Sequence, residues 1–275
     1  MKQTILFLLT AILLTGCASP KLTFMSFNIR NSSAWKTDGE NNWNNRREAV
    51  AKMILEQHPD AIGMQEMLPD QVAFLDSALA GTYRRIGVGR DDGKNKGENM
   101  CIYYNTQRLR LVGYRTYWLS DTPDSVSFGW DAACRRTVTL GMFEERSTGR
   151  RFTYLNTHLD HVGQVARRNS VLQLCDLANK CDGPVIIGGD MNSDLSDPIF
   201  SPLKEQQLSS ARDIAPVSDS LLTYNAYGKG KPSRIDHFFV RDFSVMEFHT
   251  LNGDFGVPYI SDHYPVTTTL QFKKK

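Results

Sequence analysis

Six short stretches of this chain place a polar group at the end of an apolar run, a pattern that few folds accommodate six times over. Phe24-Met25-Ser26-Phe27 closes on Asn28, and Ile62-Gly63-Met64-Gln65 closes on Glu66. Phe152-Thr153-Tyr154-Leu155 runs into Asn156-Thr157-His158-Leu159-Asp160-His161, and Val185-Ile186-Ile187 runs into Gly189-Asp190-Met191-Asn192. Arg234-Ile235-Asp236-His237 and Ser261-Asp262-His263 flank the last two apolar runs of this kind. A single Asp or Asn at a strand end is an ordinary turn or cap residue. Six such groups, all built from Asn, Asp, Glu and His, point to a shared site at the ends of several strands.

The periodicity between these groups supports that geometry. Leu22–Ile29, Ala61–Gln65, Tyr83–Val88, Met100–Tyr104 and Leu109–Trp118 read as strands. So do Arg136–Glu144, Arg151–Thr157, Pro184–Gly188, Ile235–Val240, Val245–Thr250 and Val266–Phe272. Helices are predicted over Arg46–Gln57, Pro69–Leu79 and Val165–Asn179. Many strands with few strict βα alternations imply a two-sheet sandwich flanked by helices. No repeat, low-complexity tract or long linker divides residues 21–275, which are read as a single domain.

The first residues follow a different logic. Lys2, the apolar run Ile5–Leu14 and the ending Leu14-Thr15-Gly16-Cys17 have the order of a secretory signal, too short for an ordinary membrane span. The ending resembles the bacterial lipobox. That implies a lipid-modified Cys17, removal of the segment before it, and an exported protein anchored at the cell envelope. A signal peptide with a coincidental cysteine is the alternative. Cys101, Cys134, Cys175 and Cys181 remain. They match no zinc spacing and are read as buried thiols, with disulfides open as the alternative. Formal net charge is +2, and +1 once Lys2 is removed, so bulk charge does not favour binding to long nucleic acid.

Carboxylate and amide oxygens are hard ligands suited to Mg²⁺, and two histidines supply groups that titrate near neutrality. Together they suit hydrolysis at phosphorus. The ordered set SFNIR, QE, NTHLD, GDMN, RIDHFFV and SDHYPV resembles the endonuclease/exonuclease/phosphatase superfamily over almost all of residues 21–272.

The resemblance implies a four-layered α/β/β/α sandwich with its site at one end of the sheets, and water attack on a phosphate ester with Mg²⁺ or Mn²⁺. It implies metal contacts from Asn28, Glu66 and Asp262. Asp190 would orient or activate the nucleophile and Asn192 would contact the phosphate. His263, held by Asp236, would act as base or phosphate contact. His158 would act as a donor or stabiliser, oriented by Glu98. Arg30 stands where some relatives carry an acid, which argues against a second metal contact there.

Arg135 or Arg136 is positioned to clamp phosphate or to form a salt bridge, with Arg135 the working choice. Trp118 and Trp130 are candidate stacking residues at the rim, with core packing as the alternative. His161 is a candidate for the pocket wall, whereas His237 should point away. The expected partner is a phosphate ester of unassigned class, and the chain is expected to be a monomer. A nuclease or nucleotide phosphatase, a sphingomyelinase-like enzyme and a non-catalytic module on the same fold are the alternatives.

Overall fold

A computed structural model describes residues 19–273. The signal segment and Cys17 lie outside the described residues. Thirteen strands form two sheets. The first contains β1 (Lys21–Asn28), β2 (Ala61–Gln65), β3 (Tyr83–Ile86) and β4 (Ile102–Asn105), with β10 (Val217–Ser218), β12 (Phe243–Thr250) and β13 (Val266–Phe272). Its order is β10-β12-β13-β1-β2-β4-β3. The second contains β5 (Leu109–Trp118), β6 (Thr137–Glu145), β7 (Arg151–His158), β8 (Val185–Asp190), β9 (Ser209–Ser210) and β11 (Asp236–Arg241). Its order is β5-β6-β7-β8-β11-β9. Helices α1 (Trp43–Gln57) and α2 (Pro69–Ala78) cover the first sheet, and α3 (Gln164–Asn179) covers the second.

Three apolar clusters define the spaces between the layers. Phe24, Phe152, Tyr154, Ile186 and Phe238 fill the gap between the sheets. Met25 and Phe27 meet Val50 and Ile54 of α1 on one outer face. Leu155, Ile187 and Phe239 meet Val171 and Leu174 of α3 on the other. The layers are therefore α/β/β/α. Both faces of the central strands are buried, so they read as continuous apolar runs rather than alternating ones.

Strand parity then places the polar residues. Successive side chains point to opposite faces. Phe24 faces inward, so Asn28 does too. Tyr154 carries His158 with it, Ile186 carries Asp190, and Phe238 carries Asp236. The predicted strand ending at Gly188 continues to Asp190, which extends this pattern to the acid itself. His158 and Asp236 are both register partners of Asp190, so three functional side chains form one row across β7, β8 and β11. The predicted outward orientation of His237 also holds. Its Nε2 donates to the Ser193 carbonyl at 2.9 Å, and its ring lies 5.9 Å from that of Phe200.

A polar floor separates this row from the aromatic layer. Gln65 donates to Asn156 Oδ1 at 2.7 Å and to Ser26 Oγ at 3.1 Å. Asn156 donates to the carbonyls of Met64 at 2.9 Å and Cys101 at 2.8 Å. Gly63 makes the room for these side chains. A Cβ there would stand 2.3 Å from Tyr154 Oη and 2.5 Å from Asn156 Oδ1. Cys101, Cys134, Cys175 and Cys181 are free thiols, two of them buried.

Gly63→Ala is expected to cost about 1–3 kcal/mol by overpacking this floor. Urea unfolding checks this, and an unchanged midpoint would contradict it.

Candidate active site

At the ends of β1, β2, β7 and β8 the sheets part around a cavity of ≈ 510 Å³. Glu66, His158, Asp190, Asn192, Asp262 and His263 line it. The sheets are joined there by Asn28, whose Nδ2 donates to Glu66 Oε1 at 3.1 Å and to Asp190 Oδ2 at 3.0 Å. Glu66 follows Met64, and parity alone would turn it outward. A left-handed backbone (φ 63°) reverses it into the cavity. Arg30 and Asn192 also have positive φ, at 57° and 48°. Strained backbone of this kind persists where surrounding structure over-determines it.

Each acid has its own electrostatic setting. Burial works against charge on Glu66, but hydrogen bonds from Asn28 and Asn31 prevail and hold it below the usual carboxylate range. Burial pushes Asp190 up to about 7, with Asp236 adding to the rise and His263 opposing it. Burial likewise raises Asp262. Arg30 lies between acids, bonded to Asp38 at 3.2 Å and 3.7 Å from Asp262.

The two histidines take opposite states. His263 Nδ1 donates to Asp236 Oδ2 at 2.8 Å, and its Nε2 lies 3.7 Å from Asp190. Burial disfavours its charge, yet Asp236 and Asp190 outweigh that and raise it to about 10. His158 Nε2 lies 3.3 Å from the same Asp190 oxygen. Burial, with Arg136 and Arg90 nearby, holds His158 well below its ordinary value, so it is neutral at pH 7. Asn192 donates its amide N–H to Asp190 Oδ1 at 2.9 Å, while its side chain holds the Leu159 carbonyl.

A cationic wall faces the acids. Arg136 is buried, bonded through Nε to Asp160 at 3.2 Å and through Nη2 to His161 Nδ1 at 2.9 Å. Its Nη1 has no hydrogen-bond partner among the described residues. Arg90 Nη1 reaches Glu98 at 2.5 Å, leaving Nε without one. Both guanidiniums and His161 line the cavity.

Several expected contacts take other places. Arg135 stacks on Phe128 at 4.4 Å and reaches Asp91 at 3.4 Å, outside the cavity, and Arg136 holds the inner position. Trp118 is buried with its Nε1–H on the Arg90 carbonyl, as a packing residue. Trp130 lines a separate hollow beside α3, of ≈ 540 Å³. That hollow is slightly larger, but it lacks the row of acids and imidazoles. Glu98 lies in the cavity but pairs with Arg90, and His158 Nδ1 has no partner. Arg90 was not anticipated. It folds back through Arg90 N–H to the Glu98 carbonyl at 3.0 Å, a loop contact that leaves no periodic signal.

Residues 25–263 match the model of the Endonuclease/Exonuclease/phosphatase family. The chain belongs to that family. It is 31% identical to a family member from Bacteroides vulgatus, with TM-score 0.87 over 93% of this chain and all of that one. It is 32% identical to a mannosyl-6-phosphatase of Bacteroides thetaiotaomicron, with TM-score 0.84 over 91% of this chain and all of that one. An uncharacterized protein of Acanthamoeba polyphaga mimivirus is 27% identical over 88% of this chain and 95% of its own length. Members of the family are phosphoric ester hydrolases, and this chain has the same fold with acids and histidines gathered at one end.

His237, behind the site, makes stability depend on pH. Burial lowers it from its ordinary 6.5 to about 4. The folded state therefore binds the proton less readily than the unfolded one, and stability is lost as pH falls from about 6.5 toward 4, by roughly 3 kcal/mol. Urea midpoints for the wild type and His237→Gln should diverge across that window. Parallel profiles would contradict the assignment.

Proposed function

We propose that this enzyme is a Mg²⁺- or Mn²⁺-dependent phosphomonoesterase that removes phosphate from a phosphorylated sugar or glycan by direct attack of water. The observation that carries the reading is the division of the cavity into a carboxylate side and a guanidinium side. A terminal phosphate presents more free oxygens and more negative charge than a diester. Arg136 Nη1 and Arg90 Nε, buried and without hydrogen-bond partners among the described residues, suit that extra charge. The sugar component rests on the likeness to the mannosyl-6-phosphatase.

The residues also fit a hard divalent cation. Glu66 is held ionised, and Asp262 adds a second carboxylate in the same cavity, whereas the expected metal contact from Asn28 gives way to hydrogen bonds, its Nδ2 on Glu66 and its Oδ1 on the Arg30 N–H. In another group, Asp190, Asp236 and His263, one ligand atom from each lies within 4.8 Å of the others. There, however, Asp236 and the His263 imidazole are committed to each other at 2.8 Å. Glu66 and Asp262 are therefore the expected ligands, with Asn28 holding Glu66 in place. Glu66 and Asp262 would hold such an ion, which would supply positive charge against the oxygens of a phosphoryl group.

The remaining roles belong to the protein. Asp190, with a value of about 7, is poised to take a proton from water at neutral pH. Asn28, Asn192 and His158 fix its two oxygens in place. His263 is held cationic by Asp236 and faces the phosphoryl group as a charged donor. Arg136 is locked by Asp160, whose carboxylate also accepts the backbone N–H groups of Ala133, Val162 and Gly163. Its free nitrogen is thus presented with little remaining freedom.

Phosphate release from mannose 6-phosphate, nucleotides and a diester, with Mg²⁺, Mn²⁺ or EDTA, tests the proposal. Asp190→Asn should lower kcat by about 10²–10⁴-fold. Arg136→Ala should cost about 10–100-fold in kcat/KM on the monoester and less on the diester. Preferential turnover of the diester, or activity that survives EDTA, would contradict it.

A further inference from the structure

The end of the sandwich opposite the active site carries a second concave site. β1, β7 and β8 all run toward the catalytic end, so Lys21 and Arg151 mark the other pole. Pairing brings Lys21 beside Gln271, Arg84 beside Tyr104, and Arg151 beside Glu144. A cavity of ≈ 450 Å³ opens there at the seam between the sheets. Tyr104 and Leu109 form its apolar base, and Arg84, Arg110 and Arg146 stand around it, all exposed.

The charge at this pole is not fully neutralised. Arg110 is paired with Glu144 at 2.6 Å. Arg84 and Arg146 have no carboxylate partner among the described residues, and Arg146 uses only Nε, on the Thr106 carbonyl at 2.8 Å. The surround is also basic. Arg108 donates to the Lys21 carbonyl at 2.9 Å, and Arg150 to the Lys273 carbonyl at 3.1 Å. Lys21, Arg150 and Lys273 likewise lack an acidic partner among the described residues. Near-zero net charge over the whole chain thus conceals a local basic pole.

The position of this pole relative to the chain's start is what gives it meaning. Lys21 lies four residues after Cys17, a reach of roughly 14 Å when extended. β1 then carries the chain about 25 Å to Asn28 at the catalytic end. A lipid on Cys17 would therefore bring the basic pole, and not the active site, against the bilayer.

We propose that the cavity of Arg84, Arg110 and Arg146 binds the phosphate head groups of anionic lipids. It would seat the protein upright on its membrane with the active site turned outward. The proposal rests on the lipid-anchor reading of Cys17 for the membrane that is met. Guanidiniums and phosphate head groups are complementary in charge and hydrogen-bond geometry. Such attraction acts within a Debye length of the surface, the range at which a short tether holds the pole.

The test uses the chain from residue 18 onward, without its lipid, and vesicles of phosphatidylcholine alone or mixed with phosphatidylglycerol. Co-sedimentation should appear only with the anionic vesicles and weaken as salt is raised. Arg84→Glu, at a side chain making no hydrogen bond among the described residues, should weaken binding severalfold, and Arg84→Glu with Arg146→Glu at least tenfold. Melting temperature and phosphate release from a soluble ester should be unchanged in both. Equal binding to neutral vesicles, undiminished binding by the double variant, or binding of inorganic phosphate without binding of vesicles would overturn the proposal. Vesicle binding is read without catalysis, so failure of the hydrolytic reading is seen separately. Mass spectrometry of the full chain from cells reports on Cys17 independently.

Discussion

The contact between Asn28 and Asp190 is the interaction on which the catalytic end depends. It joins the central strands of the two sheets through functional groups, at 3.0 Å, after a layer of aromatic packing and a layer of amide hydrogen bonds. Its position follows from parity. Asn28 lies four residues beyond Phe24, and Asp190 four beyond Ile186, so the aromatic core that holds the sheets together also sets the height and direction of both side chains. The same Asn28 amide reaches Glu66. One side chain thereby ties the proposed metal ligand to the proposed base.

The electrostatics follow from this closeness. A row of buried carboxyls cannot all ionise freely, and Asp190 bears most of that conflict. Glu66 escapes it because Asn28 and Asn31 supply hydrogen bonds to its charged form. The histidines divide along the same line. His263 sits among acids and is held as a cation, whereas His158 sits toward Arg90 and Arg136 and is held neutral. Two imidazoles that read alike in sequence acquire different chemistry from their neighbours.

Much of this was legible in the chain because the central strands are short, apolar and closed by polar residues. Asn28, His158, Asp190 and Asp236 follow directly from that pattern. Glu66 was also named by its place at a strand end, but its direction into the cavity comes from a left-handed backbone that periodicity does not register. What escaped has local causes. Arg135 and Arg136 are adjacent, and the choice between them was decided by Asp160, distant in sequence but hydrogen-bonded to Arg136. Arg90 and Glu98 meet through a loop that folds back on itself, so the expected orientation of His158 by Glu98 gave way to a salt bridge. Trp118 was buried by that same loop. The short strands Ser209–Ser210 and Val217–Ser218 carry too few residues for any period to emerge.

A crystal structure with Mn²⁺ and inorganic phosphate, with the metal located by its anomalous signal, tests the division of the cavity most directly. The account predicts Mn²⁺ against Glu66 and Asp262, with phosphate oxygens on Arg136 and His263. Mn²⁺ ligated by the His263 imidazole between Asp190 and Asp236, or phosphate bound away from Arg136, would contradict it.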